Sequence, residues 1–466
     1  MTRHDESNRP SVIGVVAIGR PTFDLSLAHS NTARAIDLLE GRGVTLSGSG
    51  EVLTDADLVE AAVSAMADEI DLLLVMQATF SDATMVDAAA RRWQGPISIW
   101  GFPEERTGGR LRLNSFCGMN LAAYRLRSIG RQARHLYASV ESAGDGLEGL
   151  LRMDTPTEPR SGAVAPAEAG ERVLAAVHRL RSSSIGVVGD PPDGFYPCVG
   201  DAQEIHSAFG TDLQRIDLER LFAEATAATP GAVAEGRAGF AGMDRIEDLP
   251  GGEVERSARL GSGLEEIRGS LGLDALAVRC WPECFTEYGA AACAAIGLLN
   301  DRGVPATCEA DVYGCLTGLA LGEISDGANV SIDLVDPDVS SGTAVLWHCG
   351  QLPPSMATDG IGAIPHPNRG IGVLAEFALR PGRVTIARLT RAGGSHSVVV
   401  GSGEMLETPR PFSGTCGVMR FDTDMQQVID TVLGLGLDHH LGLTYGDHRE
   451  ELIALAEELS LPVIEI

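Results

Sequence analysis

The sequence predicts an α/β protein: two parallel-sheet, Rossmann-like domains followed by a C-terminal antiparallel, barrel-like β domain. Three observations predict it. Apolar runs of strand length alternate with helix-like segments over residues 12–100. The alternation resumes after a stretch rich in Pro, Ala, Glu and Gly at 154–170. From residue 304 onward it gives way to short apolar runs divided by Gly and Pro, the pattern of an antiparallel sheet or barrel. The implied domains are 1–165, 166–305 and 306–466.

Residues 12–18 read as a buried strand, and 33–41 as a helix ending in glycine. A helix over 55–67, a strand over 71–76, a helix near 83–93 and a strand over 97–100 follow. The second unit opens with a helix at 171–181 and a strand at 184–188, then a turn at 189–194. A helix at 263–271 and a strand at 275–280 come later. Short strands are expected at 330–334, 343–347, 372–379, 383–389, 397–401 and 417–421. A helix over 447–460 and a strand over 463–466 close the chain, with Asp447 and Glu450 at capping-box spacing.

Composition removes several functions. The net charge is -28, from 36 basic and 64 acidic residues. Such a chain repels phosphate backbones and anionic membranes, so neither nucleic acid nor a membrane is an expected partner. Every basic residue is arginine. With no lysine there is no side-chain Schiff base and no phosphate-loop Lys, which excludes lysine-dependent aldolases, pyridoxal enzymes and ordinary P-loop kinases. No G-x-G-x-x-G opens a helix, so a nicotinamide cofactor is not expected. Nine cysteines, without paired zinc-finger spacing, fit reduced thiols and a cytoplasmic location. Residues 1–10 are polar and the apolar run after them is short, so neither a signal peptide nor a membrane span is expected.

The stretch most informative about chemistry runs from Arg279 to Gly318. Thr286 can cap a helix over 287–299, which places Glu287 in the first helical turn, where a carboxylate is favoured in its charged form. A strand over 304–308 leads into Glu309-Ala310-Asp311. Residues two apart point the same way if the strand continues. Glu287 and Asp311 would then meet at the carboxyl ends of neighbouring strands, where ligands of α/β domains bind. On spacing alone the ordinary reading, a helix cap and a solvated turn, is the favoured one.

The segment resembles the L-fucose isomerase family and, more distantly, L-arabinose isomerase. In the former a glutamate precedes an E-N-D segment, and the glutamate and final aspartate hold manganese. Here Glu287 precedes Asp311 by the matching interval. A second segment agrees in order: His439-His440-Leu441-Gly442-Leu443-Thr444-Tyr445-Gly446 is similar to the family's N-H-G-A-I-S-Y-G, whose His is a ligand. The resemblance implies Glu287, Asp311 and His440 as ligands of Mn²⁺ or another divalent cation. It implies an aldose–ketose isomerisation with Glu287 and Asp311 as proton-transfer groups. It also implies a homo-oligomer, a trimer or hexamer, in which one subunit's first domain covers another's site. Two carboxylates and an imidazole suit such an ion, which can polarise a sugar carbonyl.

Further candidates line up around this site. Glu309 belongs to the same motif. Trp281 either stacks on a sugar face or fills core, and His348 either lines the pocket or is a core histidine. Arg106 and Asn114 follow a parallel strand of the first domain and are candidates to reach substrate. His366, between two prolines, reads as a turn residue. Three other readings stand beside the isomerase. One is an isomerase for an acidic or sulfonated sugar such as sulfoquinovose, its anion clamped by arginines. The second is a sugar-binding module of two α/β lobes. The third is a metal-dependent hydrolase, for which no clear G-x-S-x-G or H-E-x-x-H motif speaks.

Overall fold

The computed structural model describes residues 9–144, 146–159 and 167–466. The apolar run that opens the chain is strand β1 (Val12–Ile18), buried along nearly its whole length. It is joined by β2 (Thr45–Ser47), β3 (Val52–Leu53), β4 (Leu72–Gln77), β5 (Ile97–Gly101) and β6 (Ala133–Tyr137). The order is β2-β1-β4-β5-β6, with β3 also on β1, and every pairing is parallel. Parallel strands need crossovers, which the helices Leu25–Gly41, Ala56–Met66, Thr84–Arg92 and Ser115–Ser128 supply. Asp24 and Asp55 cap the first two by accepting from the backbone N–H of Leu27 and Leu58. Helices on both faces explain why β4 and β5 are buried at every residue and read as unbroken apolar runs.

A second parallel sheet holds β7 (Ser184–Val188), β8 (Asp212–Ile216), β9 (Ala275–Val278) and β10 (Ala306–Thr307), in the order β10-β9-β7-β8. β10 pairs with β9, so this unit reaches through Thr307. The domain junction expected at 165/166 lies outside the described residues.

The third sheet contains β11 (Asn329–Asp338), β12 (Thr343–His348), β13 (Gly362–Ile364), β14 (Leu374–Ala378), β15 (Gly382–Thr390), β16 (Ser397–Met405), β17 (Thr415–Phe421), β18 (His440–Tyr445) and β19 (Val463–Glu465). The path β17-β12-β11-β18-β15-β16 is antiparallel throughout, and β16 pairs again with β17. Six strands thus close into a barrel, which removes their free edges. β14 adds to β17 and β19 to β16, both in parallel.

One local expectation changes, and it bears on the site. The helix expected over 287–299 does not start at Glu287. Cys284–Tyr288 form a single π turn that Gly289 ends at φ 76, and the helix begins only at Cys293 and runs to Asp301. The strand expected over 304–308 shrinks to the two residues of β10. Glu309 and Ala310 then take left-handed backbone, φ 59 and 52, so the extended geometry that would align Glu309 with Asp311 is absent. Asp311 instead caps the helix Val312–Ile324 by accepting from the Gly314 N–H. That helix is buried on nearly every side. A Cβ at Gly314 would fall 2.5 Å from the Asp311 carboxylate and 2.7 Å from the Ser331 hydroxyl, so only glycine permits this approach.

Candidate active site

The carboxyl ends of the parallel strands meet the barrel at one pocket. β1 leads into Arg20, β9 into Trp281 and β10 into Glu309, and all three side chains line it. The first sheet adds Asn114, and Cys117 from the helix that Asn114 precedes. The barrel contributes Asp333 from the middle of β11, His348 from the end of β12, and His439 just before β18. His440 stands directly behind, 1% exposed. The β11–β18 register sets Asp333 opposite His440, and paired residues on neighbouring strands project from the same face.

His440 is held from one side and open on the other. Its Nδ1 lies 2.9 Å from Asp311 Oδ2. Asp311 is in turn gripped by Arg388 of β15, through Nη1 at 2.7 Å and Nη2 at 2.8 Å. Arg388 also pairs with Asp438 at 2.8 Å, and all three groups are buried. The other ring nitrogen, Nε2, faces Glu309 Oε2 at 3.6 Å, Asp333 Oδ1 at 3.7 Å and the Cys308 thiol at 3.9 Å. His439 stacks on His440 with ring centres 4.0 Å apart and sets its Nε2 2.9 Å from Glu309 Oε2. His348 Nε2 lies 3.1 Å from the Cys308 sulfur. The Trp281 indole N–H donates to Glu309 Oε1 at 3.3 Å.

The charges follow from these contacts. Burial alone would raise Asp311, but the Arg388 guanidinium and the His440 hydrogen bond hold it well below the usual carboxylate range. Glu309 is likewise lowered, its burial outweighed by the bond to His439 and the nearby His440. Asp333 has only weaker, longer contacts, with His440 Nε2 at 3.7 Å and the Cys117 thiol at 3.9 Å. Burial, with Glu309 and Asp311 close by, pushes it up to about 7 against the opposing pull of His440. Burial, then His440 and His439, drives His348 well below its ordinary value, so it is a neutral imidazole.

The structure brings together most of the residues singled out in the sequence. Trp281, Glu309, His348 and Asn114 line one pocket. Asp311 and His440 are in contact behind it. Glu287 is elsewhere: it is exposed, and it lines a separate cleft with Asp190, Arg215 and Glu283. The missing helical turn before Cys293 is the reason, because the π turn directs Glu287 away from β10. Asp311 is the orienter of His440 rather than a group facing the pocket. Arg106 is also elsewhere, its Nε 2.7 Å from Asp336 Oδ2, where it ties the first sheet's loop to β11. Asp333, His439, Arg388, Arg20 and Arg369 were not singled out. Asp333 had a signal, as an acid within the otherwise apolar run of β11.

The donor set fits a divalent cation. The free Nε2 of an oriented imidazole has a carboxylate oxygen on each of two sides, Glu309 Oε2 at 3.6 Å and Asp333 Oδ1 at 3.7 Å. A carboxylate behind a ligating histidine is the usual means of fixing its tautomer and raising its basicity. Among the described residues, Cys198, Glu309, His439 and His440 form one group able to hold an ion, and Cys308, His348 and His440 another, the two sharing His440. Oxygen and nitrogen donors suit Mn²⁺ and similar ions.

Comparison with known proteins gives this geometry a family. Residues 14–150 match the fucose/sulfoquinovose isomerase N-terminal domain, and 368–466 the L-fucose isomerase C-terminal domain. The sulfoquinovose isomerase of Priestia aryabhattai is 31% identical over 457 residues, which cover 96% of this chain and 97% of that protein. The chain belongs to the fucose/sulfoquinovose isomerase family. It is therefore an isomerase enzyme. The sulfoquinovose isomerases of Priestia megaterium and Alkalicoccus urumqiensis are 31% and 30% identical, again over 96% of this chain. The family resemblance stated from the two sequence motifs is thus shown, and so is the α/β fold class. No helix among the described residues of the isomerase is long and apolar enough to cross a membrane.

Proposed function

We propose that the chain interconverts sulfoquinovose, an aldohexose with a sulfonate on C6, and its 2-ketose. The observation that carries this reading is a single pocket lined by both carboxylates and guanidiniums. Glu309, Asp333 and His439 line it together with Arg20 and Arg369, and Trp281 links the two sets: its N–H meets Glu309 while both guanidiniums lie over its ring. The names of the full-length relatives support the same substrate.

The reaction moves one proton from C2 to C1 and one between the two oxygens. Glu309, kept charged beside His439, takes the C2 proton and returns it to C1. Asp333, across His440 from Glu309, exchanges the hydroxyl proton between O2 and O1. General acid–base help of this kind contributes ~10²–10⁴-fold. Trp281 offers a flat apolar wall for the sugar and fixes the Glu309 carboxylate through its N–H. Neutral His348 and the buried amide oxygen of Asn114, which has no partner of its own, accept hydrogen bonds from sugar hydroxyls. Glu309, Asp333 and His440 would hold a divalent cation such as Mn²⁺, which supplies Lewis-acid stabilisation of the charge that develops on the two oxygens. Assembly as a trimer or hexamer and a cytoplasmic location, both implied by resemblance and composition, belong to the same proposal. Light scattering reads the first.

The deciding experiment is incubation of sulfoquinovose with enzyme and Mn²⁺ in D₂O, followed by NMR. The expected result is the 2-ketose with deuterium at C1. Turnover of other aldoses with none of sulfoquinovose would overturn the substrate assignment.

A further inference from the structure

We propose that Arg369 and Arg20 form an anion subsite that takes the sulfonate of the substrate, with Arg369 as the specificity-determining residue. The proposal rests on the reading of the substrate as a sulfonated sugar, and names the residues that recognise it.

The starting point is a charge out of balance. In a chain with 64 acidic and 36 basic residues, arginines find carboxylates easily. Arg20 has done so: its Nε donates to Asp82 Oδ2 at 3.0 Å, and Asp82 is buried. Arg369 has not. Among the described residues its guanidinium meets no carboxylate and no hydrogen-bond acceptor, although it is half-buried at the pocket. It faces only aromatic rings, 6.0 Å from the Trp281 centre and 5.9 Å from that of Phe285. Arg20 lies over the same indole at 4.9 Å. Burial and the proximity of Arg20 both weaken Arg369's hold on its proton, the mark of a cation lacking a counter-charge.

The surrounding loop presents that cation rather than letting it swing to solvent. His366, Asn368 and Arg369 sit in a turn closed by three bonds: Arg369 N–H and Gly370 N–H to the His366 carbonyl, and Asn368 N–H to His366 Nδ1 at 3.2 Å. The His366 ring packs edge-on against Phe285, 5.0 Å between centres. Burial and Arg369 hold His366 near 4, so it adds no charge. Arg20, Asp82, His366 and Arg369 therefore sum to one positive charge, which matches the single negative charge of a sulfonate. The other acids lining the pocket are Glu309 and Asp333, and Glu309 accepts from the Trp281 N–H at the edge of the indole whose ring the two guanidiniums cover. A hexose that places C1 and C2 against Glu309 and Asp333 along this ring directs its C6 substituent to the two guanidiniums. Arginine is suited to the task because its planar fork bonds an oxyanion through two parallel N–H groups.

The test compares wild type, Arg369→Met and Arg20→Met with Mn²⁺ present, using sulfoquinovose and 6-deoxyglucose, the same sugar without its sulfonate. The quantity read is the ratio of their kcat/KM values. The expected fall is about 100-fold in Arg369→Met, carried mainly by KM for sulfoquinovose, with partial recovery in Arg369→Lys. A ratio within threefold of wild type in Arg369→Met overturns the subsite and leaves the substrate reading standing. Calorimetry with methyl α-sulfoquinovoside, which cannot isomerise, repeats the comparison without turnover, and equal affinity in both proteins overturns the subsite again. If wild type converts uncharged aldoses but not sulfoquinovose, the substrate reading fails. The subsite is then judged by ethanesulfonate: competitive inhibition lost in Arg369→Met sustains it, and no inhibition of wild type removes it.

Discussion

Arg388 and Asp311 form a bidentate ion pair with no exposure to solvent on either side, at 2.7 and 2.8 Å. The pair joins β15 of the barrel to the start of the helix Val312–Ile324, and so fixes the barrel against the second parallel sheet. It also sets the position of the carboxylate that holds His440 Nδ1. Structural and chemical roles therefore share one residue. Asp311→Ala leaves a buried guanidinium with only Asp438 for company. The expected loss is about 3–5 kcal/mol of stability, read by urea denaturation. Where the variant still folds, the cation affinity of the freed imidazole is expected to drop ~10–100-fold. A stability loss under about 1 kcal/mol would show that the pair is energetically idle.

The two readings of the acidic residues part company at Glu287. The sequence interval points to Glu287 for the ion and the proton; the function proposed above gives those roles to Glu309 and Asp333. Glu309→Gln and Asp333→Asn are each expected to cut kcat/KM by ~10²–10⁴-fold. Both should retain the wild-type melting profile, since neither removes a packed apolar group. Glu287→Gln, at an exposed site in another cleft, is expected to stay within twofold of wild type. Loss of activity in that variant would restore the interval-based assignment.

Removal of divalent ions by chelation is expected to abolish turnover, and Mn²⁺ to restore it. A second signature is independent of activity. An ion that binds only the folded state stabilises it by RT ln(1 + [L]/Kd), about 2.7 kcal/mol at a hundredfold excess over Kd. The melting temperature of the chelated wild type should therefore rise on Mn²⁺ addition, and that of His440→Ala should not. An equal rise in both proteins would locate the ion somewhere other than His440.

Much of the fold was legible, because its signals are local. β1, β4, β5, β7 and β9 are apolar runs buried on both faces, and such runs stand out whatever lies around them. β8 did not stand out, because Asp212, Gln214 and Arg215 face solvent at the sheet edge. β18 and the helix Val312–Ile324 were hidden by their histidines, glycines and small residues, whose placement depends on close packing between distant segments. The site divides in the same way. Glu309, His348, Trp281 and Asn114 lie at the ends of strands or turns that the sequence marks. Asp333 meets His440 only through the register of β11 on β18, and Arg388 reaches Asp311 across 77 positions of sequence. No interval predicts either contact. The Glu287 interval presupposes a helix that Gly289 breaks.

A fourth prediction concerns pH and lies away from the site. His135, in β6, buries its Nε2 with no hydrogen-bond partner, although part of the residue remains accessible. Burial without a counter-charge lowers the group to about 4 in the folded chain, against an ordinary value of 6.5. The sign follows from linkage. The unfolded chain binds the proton first as pH falls, so the stability that neutral His135 permits is present above pH 6.5 and is lost progressively down to about 4. A shift of this size corresponds to roughly 2–3 kcal/mol at the lower end, allowing for the accessible part of the ring. Urea denaturation from pH 7.5 to 4 should show a slope near one proton attributable to this residue. His135→Phe removes the titrating group and keeps an aromatic ring in the same place, so its stability should decline less steeply over that window. Parallel pH curves for the two proteins would mean that His135 takes up its proton as readily folded as unfolded, and that its nitrogen has a partner after all.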